Sequence, residues 1–397
     1  MKALCNARVF DGDRMLDRHT VFVDCGRVVS VVPEPSGVDP IADAVDLNGL
    51  IIAPGFIDTQ VNGGADVLFN DEPSSEGIAR IVAAHRRHGT TGLLPTLISD
   101  DRAVMERALN AVAEARRAAM PGLLGIHLEG PYLNPKRKGI HREEKIRTPE
   151  PDAVTLLSRL GDEATTLVTV APERVREGFI AELSERGVIV AAGHTAGTYA
   201  DIRRAQSEGL RGFTHLFNAM TPMTSREPGV VGAALAGENT WCGLIVDGHH
   251  VHPATARVAV SAKMRGRIML VTDAVHAAGS THRELEFLGQ TIYRANGRVT
   301  SATGTLAGSD LTMDRAVRNV VDLLALPLEE ALRMASLYPA AFLGIDAEYG
   351  RIRPGYRADF VALDDDLRVV GTWIDGVADS DAPAAPPARI GVGSGPG

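Results

Sequence analysis

Cysteine, long apolar segments and positive charge are all scarce in this sequence. The three cysteines, Cys5, Cys25 and Cys242, are odd in number, scattered and without CxxC spacing, which argues against a disulfide framework or a thiolate metal site. No apolar run reaches the roughly 18 residues that span a bilayer, and the first residues contain no apolar signal core. The net charge of −9 argues against a nucleic-acid surface. We therefore expect an unexported, cytoplasmic protein that binds neither membranes nor nucleic acid.

Strand-like segments rich in β-branched residues occupy both ends of the chain. Residues 1–50 and 350–376 have this character, so they are predicted to form one small β-sandwich domain from both termini. Residues 51–349 then form a second domain, because a chain of 397 residues exceeds the usual span of one core. The final segment, 377–397, is rich in Ala, Pro, Gly and Ser and is predicted to be a disordered tail.

The middle of the chain alternates apolar, strand-like runs with helical patterns, which is typical of βα units. Eight such runs begin at residues 50, 89, 122, 166, 187, 212, 242 and 267. A helix is predicted between the second and third runs, with Ser99 as its N-cap and an apolar stripe from Val104 to Ala115. The pattern predicts an α/β fold with a (β/α)8 TIM barrel, and a doubly wound open sheet is the alternative that shares every local signal.

Ionisable residues follow these runs, at the end of a barrel where catalytic side chains gather. Glu129, His194 and His215 follow three different runs, and two imidazoles with a carboxylate are what a hydrolytic divalent-metal site requires. Each of them singly also fits a structural, hydrogen-bonded role. Asp273 ends the eighth run, where a carboxylate can take a proton from water and return it to a leaving amine. Its alternative is a structural acceptor or a helix N-cap.

Other residues near the run ends have less specific signals. His127 precedes Glu129 by two residues and is either an extra ligand or a supporting residue. Arg226 and His250 could each bind a phosphate. Gly304 and Gly308 precede a helix start expected near Ser309, where free N–H groups could meet substrate oxygens.

The loop 134–142 is the most basic segment of an acidic chain. It carries Lys136, Arg137, Lys138 and Arg142, and it is either an anion-seeking lid or an ordinary solvated loop. His141 lies in the same loop and could polarise a scissile carbonyl from there.

Eight motifs resemble, in order, the N-acetylglucosamine-6-phosphate deacetylases of the amidohydrolase superfamily: PGFIDTQVNG, HLEGPYLNPKRKGIH, VTVAPE, AAGHT, THLFNAM, REPGVVGA, DGHHV and VTDA. The resemblance implies hydrolysis of the acetamide of N-acetyl-D-glucosamine 6-phosphate to D-glucosamine 6-phosphate and acetate, in amino-sugar catabolism and cell-wall recycling. A related sugar such as N-acetylgalactosamine 6-phosphate is the alternative substrate. An inactive oligomeric scaffold is the rival from another functional class.

The resemblance also implies roles for individual residues. It assigns the metal to Glu129, His194 and His215, and catalysis to Asp273 and His141. It further implies a homodimer in which Arg226 and His250 reach the phosphate across the interface. The substrate-binding residues that it implies are Ile140, His141, Asn218, Ala219, Arg226, Asp247, Gly248, His249, His250, Leu306, Ala307 and Gly308.

The residues after the first run predict the number of metal ions. Many amidohydrolases carry an HxH motif there, whereas this chain has Gln60 and Asn62, whose neutral amides are poorer ligands than imidazole. We therefore expect one divalent ion per subunit, with zinc as the first choice and iron, cobalt or manganese as alternatives. Gln60 and Asn62 would then be non-ligands near the metal or a weak second site.

Overall fold

The computed structural model describes residues 1–34 and 44–379. Strands from both ends of the chain pair into one eight-stranded sheet, the small domain. Antiparallel pairing between Ile51–Pro54 and Phe360–Leu363 joins its two halves, and Lys2 Nζ donates a hydrogen bond to the carbonyl of Gly376 at 3.2 Å. The strands are Lys2–Phe10, Met15–Asp24, Arg27–Pro33, Ala44–Asp46, Ile51–Pro54, Phe360–Leu363, Val369–Ile374 and Val377–Ala378.

The sheet extends past the boundaries expected from the sequence. The first apolar run contains two strands, Ile51–Pro54 in the small domain and Phe56–Val61 in the barrel. They separate at Gly55, where a Cβ atom would come within 2.0 Å of Thr91 Oγ1. Val377–Ala378, at the start of the predicted tail, pairs with the preceding strand, and residues 380–397 lie outside the described part of the chain.

Eight parallel strands form a nearly closed barrel, which confirms the predicted fold. Neighbours in the barrel are consecutive along the chain, which excludes a doubly wound sheet with its reversal of strand order. The first strand meets the segment that follows the last strand through a parallel bridge between Val61 and Ala274. Each predicted run overlaps one barrel strand. These strands are Phe56–Val61, Thr90–Ile98, Gly125–Glu129, Thr165–Val170, Ile189–Ala192, Gly212–Phe213, Trp241–Leu244 and Ile268–Leu270.

Helices connect the barrel strands and bury their apolar faces against them. None of the helices in the described residues is long and apolar enough to cross a membrane. The α-helices are Ser75–Arg86, Arg102–Arg117, Ala153–Leu157, Phe179–Glu185, Tyr199–Ser207, Gly229–Ala236, Pro253–Ala262, Met313–Leu324, Leu328–Ala335 and Leu337–Leu343. Short 3₁₀ turns occupy Pro135–Arg137, Glu143–Lys145, Gly161–Glu163 and Pro172–Arg174.

Two helix starts differ from those expected. The helix after the second barrel strand has Asp101 as its N-cap, so the prediction of Ser99 was wrong. The helix expected near Ser309 begins at Met313 instead. In both cases the serine is occupied elsewhere, since Ser99 contacts His141 and the hydroxyl of Ser309 donates to the carbonyl of Thr272 at 2.6 Å.

A three-stranded antiparallel sheet follows the eighth barrel strand. Its strands are Glu284–Phe287, Gln290–Ala295 and Arg298–Ser301, and a short hairpin of Gly63–Gly64 and Val67–Leu68 lies near the first barrel strand. The sheet packs with Leu68, Ile98 and Val275 in a separate apolar cluster. This cluster places Phe287 beside the carboxyl ends of the barrel strands.

Candidate functional site

A cleft of about 220 Å3 opens at the carboxyl ends of the barrel strands. Glu129, His194, His215 and Asp273 all line it, although they follow four different strands. Glu129, His194 and His215 are almost completely buried, and Asp273 is partly buried. The structure therefore brings together the residues that the strand-end argument selected.

Three of these side chains converge on one point. Glu129 Oε1 lies 3.0 Å from His215 Nε2 and 3.3 Å from His194 Nε2. The two Nε2 atoms are themselves 3.0 Å apart. Burial raises the pKa of Glu129, but hydrogen bonds from the surrounding histidines outweigh it and hold that pKa well below its usual range.

Hydrogen bonds to the second ring nitrogen separate the role of His194 from that of His141. His194 Nδ1 lies 2.8 Å from the carbonyl oxygen of Arg137, which places the proton on Nδ1 and leaves the Nε2 lone pair free. His141 Nδ1 accepts from the backbone N–H of Ser99 at 3.3 Å, which places its proton on Nε2. His194 is thus suited to bind a cation, whereas His141 is suited to donate a hydrogen bond.

This donor set fits a divalent cation. Two imidazole nitrogens at 3.0 Å from each other face the same buried carboxylate oxygen, and a cation between them would satisfy all three groups. His141 is near enough to Glu129 and His194 to join a metal site, with ligand atoms within 4.8 Å of one another. Its Nε2 proton argues against that role, so we retain Glu129, His194 and His215 as the predicted ligands.

Asp273 is held by two amide side chains. Its Oδ1 accepts from Gln60 Nε2 at 3.0 Å and from Asn62 Nδ2 at 2.8 Å. Gln60 Nε2 also donates to Glu129 Oε1 at 3.1 Å, so one amide links the two carboxylates. Burial and the nearby charge of Glu129 raise the pKa of Asp273. Within the described residues Oδ2 makes no hydrogen bond, which leaves it available to exchange a proton.

Three of the predicted site residues have left-handed backbone conformations. The φ angles are 47° at His194, 32° at His215 and 50° at Asp273. Such a conformation costs a non-glycine residue about 1–3 kcal/mol and persists only where the surrounding structure enforces it. The folded chain therefore holds these three side chains in place at a cost in stability.

A layer of buried polar groups supports the floor of the cleft. His127 Nε2 and Nδ1 contact the hydroxyls of Thr169 at 2.8 Å and Thr96 at 3.2 Å, so neither ring nitrogen is free for a metal. Burial lowers the pKa of His127 to about 4, which keeps it neutral. Asp58 accepts from Thr272 Oγ1 at 2.5 Å, and burial raises its pKa to about 7. His127 is thus a supporting residue, the second of its two predicted alternatives.

Seven of the residues implied as substrate contacts line the cleft, namely Ile140, His141, Asn218, Ala219, His250, Leu306 and Gly308. Gly308 has a φ of 65°, and a Cβ atom there would come within 2.5 Å of Val275 Cγ1. Only glycine therefore allows this turn to pack so closely beside Asp273. Ala307 is fully buried and does not line the cleft.

The remaining implied contacts lie outside the cleft of their own chain. Asp247 Oδ2 lies 2.6 Å from His250 Nδ1, so Asp247 orients His250. His249, beside Gly248, points to the carbonyl oxygen of Asn296 at 3.3 Å. Arg226 is exposed and makes no hydrogen bond or ion pair with any described residue.

The basic loop turns its uncharged residues towards the cleft. Gly139, Ile140 and His141 line it, whereas the cationic side chains of the loop do not. Arg142 instead pairs with Asp100 at 3.3 Å. The structure therefore favours an ordinary solvated loop over an anion-seeking lid.

Some residues of the site were not selected from the sequence. Ser99 fixes the ring of His141, and it would have been found had the second run been extended to the true strand end at Ile98. Phe287 and Thr305 also line the cleft. The hairpin signal Asn296-Gly297 marks the sheet that carries Phe287, but nothing local indicates that this sheet would cover the cleft.

Comparison with known proteins gives a consistent family. Residues 51–378 match the amidohydrolase family, and residues 1–52 match the NagA composite domain. The chain is 44% identical over 329 residues to the N-acetylgalactosamine-6-phosphate deacetylase of Shewanella sp. (strain ANA-3), covering 83% of each chain. It is 35% identical over 379 residues to the N-acetylglucosamine-6-phosphate deacetylase of Haemophilus influenzae, covering 94% of this chain and 98% of the relative.

A solved structure shares the whole fold. It is that of a mutant N-acetyl-D-glucosamine-6-phosphate deacetylase from Mycobacterium smegmatis in complex with N-acetyl-D-glucosamine-6-phosphate. Its TM-score is 0.86 at 33% identity, and the match covers 95% of this chain and 98% of that one.

Proposed function

This chain belongs to the amidohydrolase family, and we propose that it hydrolyses N-acetyl-D-glucosamine 6-phosphate to D-glucosamine 6-phosphate and acetate. The observation that carries the proposal is the convergence of Glu129, His194 and His215 beside Asp273 in one cleft. These intact groups argue against an inactive scaffold.

The chain supplies three chemical functions around the acetamide. A divalent ion bound by Glu129, His194 and His215 would activate water and polarise the acyl carbonyl. Asp273 Oδ2 accepts the proton of the attacking water and returns it to the departing amine nitrogen. His141 Nε2–H donates to the carbonyl oxygen as negative charge develops there. The amides of Gln60 and Asn62 keep Oδ1 of Asp273 occupied, so the proton is exchanged at Oδ2.

Acetate release from matched sugars tests this proposal. We expect N-acetyl-D-glucosamine 6-phosphate to be hydrolysed with a much higher kcat/KM than unphosphorylated N-acetyl-D-glucosamine, and a chelator to abolish the reaction. Equal activity on both sugars would contradict a phosphate-specific deacetylase, and activity that survives metal removal would contradict the metal site.

The C4 epimer is the second candidate substrate. The relative from Shewanella, at 44% identity, is an N-acetylgalactosamine-6-phosphate deacetylase. The same residues would perform the same chemistry on either epimer, because the reacting acetamide is at C2 in both. The ratio of the two kcat/KM values, measured in one competition assay, decides which sugar is the preferred substrate.

We also propose that each subunit holds one divalent ion, with zinc preferred over iron, cobalt or manganese. Gln60 and Asn62 direct N–H groups, not lone pairs, towards Asp273, which disfavours a second cation there. The double variant Gln60→His and Asn62→His is expected to raise the metal content of the protein from about one ion towards two per subunit. Elemental analysis after gel filtration measures this. A control Gln60→Asn variant should stay near one, and a wild-type content of two would refute the proposal.

A homodimer with Arg226 contributed across the interface completes the proposed site. Arg226 follows Met223 by three residues in the chain, and Met223 lines an exposed apolar groove together with Val258. These two side chains are 58% and 62% exposed. An apolar groove of this kind is typical of a protein interface. His250 was implied to cross the interface as well, but it lines the cleft of its own chain, so the proposal assigns the crossing to Arg226 alone.

The absence of disulfides among the three cysteines supports a cytoplasmic location.

Replacing Arg226 tests the phosphate contact. Arg226→Ala is expected to lower kcat/KM for the phosphorylated sugar by about 10- to 100-fold, mainly through KM, because a charge-assisted hydrogen bond to phosphate is lost. Steady-state kinetics measure the effect, and the exposed Arg186→Ala serves as the matched control. An unchanged KM would refute the contact.

Mixed dimers test whether Arg226 of one subunit reaches the cleft of its partner. Co-expressed Arg226→Ala and Asp273→Asn chains would form some dimers in which one cleft has both an intact Asp273 and an intact Arg226 from the partner. Recovery of activity above that of either variant alone is therefore expected. No recovery in isolated mixed dimers would place Arg226 outside the partner's site.

A further inference from the structure

Glu173 lies in the 3₁₀ turn Pro172–Arg174, directly after the fourth barrel strand. Its side chain is half-buried and accepts three hydrogen bonds. Oε1 accepts from Asn134 Nδ2 at 2.9 Å and from the backbone N–H of Ala196 at 2.7 Å, and Oε2 accepts from Thr195 Oγ1 at 2.5 Å. The carboxylate thus connects the segments that follow the third, fourth and fifth strands.

One set of these bonds fixes the backbone next to His194. Thr195 and Ala196 follow His194 directly, and His194 has a φ of 47° that its surroundings must enforce. The N–H of Thr195 also donates to the carbonyl of Ala219 at 3.1 Å. Glu173 therefore holds the chain where it leaves the proposed ligand.

The hydrogen bond from Asn134 to Glu173 fixes the loop that orients the His194 ring. Asn134 donates its backbone N–H to the carbonyl of His194 at 2.9 Å, and its Oδ1 accepts from the N–H of Lys136 at 2.9 Å. This second bond starts the turn that ends at Arg137, whose carbonyl oxygen lies 2.8 Å from His194 Nδ1. Through Asn134, Glu173 therefore supports the carbonyl group of Arg137, which keeps the proton of the His194 ring on Nδ1.

Among the described residues, no further hydrogen-bond or ion-pair partner accounts for a carboxylate at this position. No Lys, Arg or His side chain of the described residues forms an ion pair with it, and it does not line the cleft. We propose that Glu173 is a positioning residue that presents the Nε2 lone pair of His194 to the metal. The proposal rests on the proposed metal site and not on the identity of the sugar.

Zinc affinity tests the proposal without reference to catalysis. Glu173→Ala is expected to weaken zinc binding by about 10- to 100-fold, as is typical when a group that orients a histidine ligand is lost. Competition with a zinc-binding indicator dye measures the dissociation constant. The zinc concentration for half-maximal activity should rise in parallel, while kcat at saturating zinc stays within a few-fold of wild type. Glu177→Ala, an exposed carboxylate on the same segment, is the matched control.

A second variant, Glu173→Gln, keeps the proposal testable if Glu173→Ala does not fold. Glutamine keeps one acceptor oxygen and the shape of the side chain, so an intermediate loss of zinc affinity is expected. Unchanged zinc affinity in either folded variant would overturn the proposal, even if its thermal stability falls. Wild-type protein that binds zinc but releases no acetate would instead overturn the proposed function and leave this inference intact.

Discussion

Asp273→Asn is expected to lower kcat for acetate release by about 10²- to 10⁴-fold, the usual contribution of a general acid and base. Asparagine has nearly the shape of aspartate, and its Oδ1 can still accept from the amides of Gln60 and Asn62. The substitution therefore removes the proton acceptor at Oδ2 without opening a cavity. Metal content should remain at the wild-type level, because Asp273 is not one of the three proposed ligands.

Steady-state kinetics and elemental analysis on the same preparation measure both parts of this result. Asp314→Asn is the matched control, since Asp314 is also buried but pairs with Arg318 on a helix away from the cleft. Turnover near the wild-type level would refute Asp273 as the acid and base. Loss of the metal together with turnover would show that Asp273 also holds the ion.

Glu129→Gln is expected to abolish both metal retention and activity. The carboxylate oxygen of Glu129 is shared by His194 and His215 at 3.3 and 3.0 Å, and a neutral amide is a poor ligand for a divalent ion. After dialysis the variant should hold less than about 0.2 ions per subunit, and added zinc should not restore acetate release at concentrations that saturate the wild type.

The control for Glu129 is Glu150→Gln. Glu150 also accepts hydrogen bonds at close range, from Tyr132 at 2.6 Å and Arg147 at 2.6 Å, but it does not line the cleft. It should keep its metal and its turnover. A Glu129→Gln protein with a full complement of ions would contradict the proposed ligand set.

The barrel could be predicted because its physical requirements are local. A parallel strand buried on both faces must be apolar throughout, so each strand appears as a continuous apolar run. Glu129, His194, His215 and Asp273 follow such runs, and parallel strands bring their carboxyl ends to one mouth. The same continuity concealed the domain boundary at Gly55, because the strands on both sides of it are buried and equally apolar.

The remaining parts of the site depend on contacts between distant residues. Ser99 could be predicted as an N-cap from its neighbours, but the ring of His141, 42 residues away, engages its hydroxyl. The three partners of Glu173 come from two other loops. Arg226 finds no partner among the described residues of its own chain. Local patterns contain no information on such pairings, which arise only when the loops meet.

The antiparallel pair Ile51–Pro54 and Phe360–Leu363 leads the chain into the barrel and out of it through adjoining strands. A single backbone cut in any barrel loop would thus leave two fragments, each with strands in the same small-domain sheet. The fragments would stay joined by that sheet as well as by the barrel itself. The small domain therefore keeps the two ends of the barrel segment together. The loops that build the cleft can vary in length and sequence while both halves of the chain stay attached through this sheet.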